Sequence, residues 1–70
     1  MDIKIRESTL EKIRTLKYGS AVEVMLSDII SRPNTTYNRG ILHGYLLALT
    51  TEDIIDSDDA MAIFDQIIER

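Results

Sequence analysis

Glu52, Asp53, Asp56, Asp58 and Asp59 are the densest gathering of side chains in this chain with chemistry to offer. Carboxylates that close together raise the question of calcium, a hard cation that takes oxygen ligands. The run lacks the alternating ligands, central glycine and closing glutamate of an EF-hand loop. Helix capping accounts for residues 56–59 more simply. Asp56 or Ser57 caps a helix, and acids in the first turn face the positive end of its dipole. His43 is the only histidine and there is no cysteine, so a zinc ligand set and a serine–histidine–acid arrangement are both missing. Gly40 and Gly44 fall inside a helical stretch and form no phosphate loop. The expectation is a chain without catalysis, metal or cofactor.

The element that must organise the rest is the stretch 37–50, YNRGILHGYLLALT. At 100° per residue Tyr37, Gly40, Ile41, Gly44, Leu47 and Ala48 share one side, and Leu42, Tyr45, Leu46 and Leu49 cover most of the other. Only a stripe through Arg39, His43 and Thr50 is polar. Such a helix is normally buried or spans a membrane. The run 41–49 is too short for a span, so burial within protein is expected. Gly40, Gly44 and Ala48 recur every four residues and invite a close helix crossing, either within the chain or between two copies.

The other elements follow from caps and breakers. Ile3 and Ile5 alternate with Asp2, Lys4 and Arg6, which fits either a short strand or an extended arm over residues 1–7. Ser8-Thr9-Leu10-Glu11 has capping-box spacing and predicts a helix start at Ser8, with Leu10, Ile13 and Leu16 inward. Gly19 is expected to end that helix in the left-handed conformation. Ser20 and Glu23 repeat the capping-box spacing and open a second helix that buries Ala21, Val22, Met25, Leu26, Ile29 and Ile30. Pro33 closes it, and Asn34, Thr35 or Thr36 caps the helix at 37–50. Ile54 and Ile55 pin the next connection to the core. A last helix buries Ala60, Met61, Ile63, Phe64, Ile67 and Ile68. The predicted fold is all-α: a single domain, residues 1–70, built as a compact bundle of about four short helices around a central buried helix at 37–50, with an N-terminal extended arm.

Charge divides the chain. Of its 8 basic and 12 acidic residues, seven basic ones lie at or before Arg39, while seven acids and only Arg70 follow Gly40. The net charge of −4 disfavours generic phosphate binding. A helix-turn-helix with its turn at Gly19 puts Arg14 and Asp28 at buried positions and gives a recognition helix bearing Glu23 and Asp28 without a lysine. Lys4, Arg6, Lys12, Arg14 and Lys17 leave only a minor basic patch.

The functional expectation is therefore a small adaptor or regulatory protein that binds another protein, possesses no membrane span and works in the cytoplasm, since MDIKIRE lacks a signal-peptide core. One alternative is an acidic inhibitor that occupies the nucleic-acid site of a basic protein through Glu52, Asp53, Asp56, Asp58, Asp59, Asp65 and Glu69. Another is a weakly DNA-associated factor using the basic N-terminal half. A homodimer is expected, because a helix apolar on every side needs neighbours on every side. In general character the chain resembles small accessory proteins of phages and bacterial mobile elements, a likeness that rests on no particular residues.

Overall fold

The computed structural model describes residues 5–69 and is all-helical over them. Its elements are α1 (Glu7–Arg14), α2 (Gly19–Ser31), α3 (Thr36–Thr51) and α4 (Ser57–Ile68). Of the strand or arm expected over residues 1–7, residues 1–4, Ile3 among them, lie outside the described residues; Ile5 packs on the core, Arg6 is extended, and α1 begins at Glu7.

Local signals place three of the helix boundaries. Arg32 is extended before Pro33 and ends α2. Thr35 caps α3, its hydroxyl accepting from the Asn38 amide at 3.1 Å. Asp56 caps α4 through the Asp59 amide at 2.8 Å. The two serine capping boxes do not form: Arg6 and Tyr18 occupy the N-cap positions of α1 and α2 and cap without side chains. Glu23, free of a capping role, accepts from Arg14 Nε at 2.8 Å and ties α2 to α1.

Gly19 corrects a further expectation. No glycine has a positive φ among the described residues. The chain turns through 15–18, and Gly19 opens α2 so near α1 that a Cβ would stand 2.0 Å from the Ile13 carbonyl oxygen. Close approach, not left-handed geometry, requires glycine there. The left-handed residue is Asp53, φ 58°, at the end of α3. Ile54 N–H donates to the Leu49 carbonyl at 2.9 Å and Asp53 N–H to that of Thr50 at 3.1 Å. This is a Schellman ending, and it turns Ile54 and Ile55 onto the core as the sequence predicts.

One core is shared by Ile13, Leu26, Ile29, Ile30, Leu42, Leu46, Leu49, Ile55, Ile63 and Ile67. α2 packs against α1, α3 and α4, and α3 packs along α4. Asn34 Nδ2 donates to the Ile68 carbonyl at 3.1 Å, so the start of α3 lies beside the end of α4 and the two run antiparallel. The enclosure of α3 is one-sided. Leu42, Leu46 and Leu49 are core, while Tyr37, Gly40, Gly44, Leu47 and Ala48 are exposed. Met25, Met61 and Ile68, expected inside, are also exposed, as is Ala21. Each lies at the edge of its helix's apolar arc, where the other helices leave it open to solvent.

Candidate functional site

The expected acidic surface separates into two groups with different roles. Asp59 is only 4% exposed and belongs to the interior. Arg6 grips it bidentately, Nε to Oδ1 at 2.8 Å and Nη2 to Oδ2 at 3.0 Å, and Thr9 adds its hydroxyl. Arg6 also bonds Asp56, which stays exposed. The Arg6 hydrogen bond is the main reason the Asp59 carboxyl titrates below its ordinary value, against the opposing pull of burial. The same contacts hold the Arg6 proton more tightly than usual, Asp59 contributing most. Lys12 completes the cluster by donating to the Asp53 carbonyl. These bonds fasten α1 to the cap of α4 and to the α3–α4 connection, so Asp59 is unsuited to contact a partner and Asp56 is already engaged.

The described residues of the basic N-terminal patch also have partners within the chain. Arg6, Lys12 and Arg14 are bound as described, and Lys17 lies 5.4 Å from the centre of the Tyr18 ring. Lys4 lies outside the described residues. Of the described cations in this patch, Arg6 and Arg14 are the ones paired with carboxylates.

The remaining acids, Glu52, Asp53, Asp58, Asp65 and Glu69, are exposed. On α4 the helical period puts Asp58, Asp65 and Glu69 within about 40° of one another, in a single row. Beside that row runs an open groove of ≈ 380 Å³ between α3 and α4, with His43, Leu47 and Thr50 on one wall and Ala60, Met61 and Phe64 on the other. Asp65 lies on its rim. The His43 ring meets Phe64 edge-on, centroids 6.2 Å apart and planes at 75°. This gives the expected polar stripe a place: His43 lines an apolar groove. Leu47 is 58% exposed and Met61 66%, too much for side chains of their size to be part of a closed core.

Gly40, Gly44 and Ala48 are not used for a crossing within the chain. Space for a Cβ at either glycine is empty to 4 Å. Together with Leu47 and Tyr37 they form an outer face of α3 that carries no charged residue. No group of three or more His, Asp or Glu positioned to hold a metal occurs among the described residues. None of their helices is long and apolar enough to cross a membrane. No known protein family, characterised protein or solved structure matches the chain.

What sequence reasoning missed is the groove and the Arg6–Asp59 pair. The first needs the relative placement of α3 and α4. The second joins residues 53 positions apart. A buried acid in a helix's first turn is indistinguishable in sequence from an exposed one.

Proposed function

We propose that the chain is a non-catalytic protein-binding protein of the cytoplasm that works through the outer side of its α3–α4 pair. One observation carries this reading: α3 has no charged side chain from Gly40 through Thr51, and on that stretch Leu47 lies open to solvent beside Met61 of α4. An uncharged helical face on a chain with 29% charged residues is unfavourable to leave wet and favourable to cover. Matched affinity capture with the wild-type chain and with Leu47→Asp checks it. Proteins held by the first and lost from the second support the reading; identical retention by both sinks it.

A second reading, a homodimer, rests on the empty space over Gly40 and Gly44. Glycines in a helix interior cost about 1 kcal/mol each relative to alanine, and no contact within the chain recovers that cost. A two-fold pairing of α3 with its copy closes the face. Sedimentation at micromolar concentration decides it: a dimer released to monomer by Gly44→Leu is the supporting result, and a monomer unchanged on dilution excludes it.

A further inference from the structure

The two sides of the α3–α4 groove differ in a way that selects its occupant. The α3 wall, His43, Leu47 and Thr50, carries no lysine, arginine or carboxylate. The α4 side carries Asp58, Asp65 and Glu69 in one row, and Ser57–Ile68 contains no lysine or arginine. Spacings of seven and four residues set those acids about 10 Å and 6 Å apart along the helix. Between wall and row lie Met61, exposed, and Phe64, half-buried, with Ile68 continuing the strip at 46% exposure. The groove's lining covers Ser57 to Asp65 of α4, about 12 Å, and the row of acids carries the same face on to Glu69, about 17 Å from Asp58 or three turns of helix.

We propose that the groove receives an amphipathic helix from a basic partner protein. The proposal rests on the protein-binding reading above. Apolar side chains spaced three and four apart on that helix lie on Leu47, Met61 and Phe64, as in other helix-in-groove complexes. Lysines or arginines along one flank, seven and four residues apart, meet Asp58, Asp65 and Glu69 in register. A second copy of this chain fits poorly here. Its α3–α4 pair brings the same row of acids against this one, and the basic side chains of its α1 are already bound to Glu23 and the Asp53 carbonyl. Nucleic acid and anionic surfaces are repelled by the same row.

The test uses the full chain and a labelled synthetic peptide of about 18 residues, with leucines at helical spacing and lysines on both flanks. Two controls replace its lysines with glutamate or its leucines with serine. The lysine–leucine peptide is expected to bind, more weakly as salt is raised, and each control at least about tenfold less tightly. Leu47→Ser and Met61→Ser weaken binding about tenfold without changing the melting curve, because both side chains are exposed. Asp65→Asn with Glu69→Gln flattens the salt dependence. Equal binding of all three peptides, binding indifferent to Leu47→Ser and Met61→Ser, or no binding of the lysine–leucine peptide overturns the proposal. So does a self-associated chain that Met61→Ser converts to monomer, since the occupant is then a second copy. If the peptide fails while a captured protein is still lost on Leu47→Asp, the protein-binding reading stands and only the basic helix falls. Failure of both removes both.

Discussion

Asp59 is a surface acid by composition and a core residue by position, and its partners explain how that is tolerated. A buried carboxylate is costly unless paired and hydrogen-bonded; here Arg6 supplies the opposite charge, and Arg6 and Thr9 the hydrogen bonds. Because the carboxyl titrates below its ordinary 3.8 when folded, its contribution is fully present above that value and is lost as pH falls through the depressed one. Melting temperature is expected to fall on acidification below about pH 4, and Asp59→Asn to make that fall shallower. At neutral pH Asp59→Ala costs about 2 kcal/mol by urea titration, the worth of hydrogen bonds to a charged group. Two backbone positions give opposite results. Gly19→Ala places a methyl against the Ile13 carbonyl and destabilises by about 2 kcal/mol or more. Asp53→Gly removes the left-handed penalty and stabilises by about 0.5–1 kcal/mol.

Among the helices, α3 carries the largest conflict between composition and surroundings. Its inner face, Leu42, Leu46 and Leu49, has full cover from α2 and α4. Its outer face has none, and the two glycines there pack on nothing in the chain. Gly40→Ala and Gly44→Ala are each expected to raise the stability of the isolated fold by about 0.5–1 kcal/mol, measured by thermal or urea unfolding. Loss of stability instead places another backbone on that face. α1, at eight residues, is too short to hold a helix alone and depends on its contacts with α2 and the Arg6–Asp59 bonds.

Across the whole molecule, those bonds set an order of local stability. α1 is joined to α4 and to the α3–α4 connection by the polar contacts of Arg6, Thr9 and Lys12, whereas α2, α3 and α4 share most of the apolar core. Hydrogen exchange is expected to show the α1 amides opening before those at Leu42, Leu46 and Leu49, and Asp59→Ala to widen that gap. Uniform protection across the four helices counts against it.

By itself the sequence determined the helical class, the stop at Pro33, the short polar stretches that hold the α3 and α4 caps (Asn34, Thr35 or Thr36; Asp56 or Ser57), and the inward placement of Ile54 and Ile55. All of these depend on dihedral limits, a side chain reaching its own backbone a few residues away, or apolar period, and so are written locally. Tertiary structure decided which arcs are covered and which acids are free. Met25, Met61 and Leu47 have the spacing of core residues but are left largely uncovered by the packed helices. Asp58 and Asp59 are neighbours of one type, yet Asp58 faces solvent while Asp59 meets Arg6 from the other end of the chain. Gly19 serves close approach instead of the expected left-handed turn, and Asp53 takes a left-handed turn that nothing in the sequence announced, for the same reason: the nearness of α1 to α2 and the turn of α3 into α4 are properties of packed helices, and periodicity along one helix carries no information about its neighbours' distance.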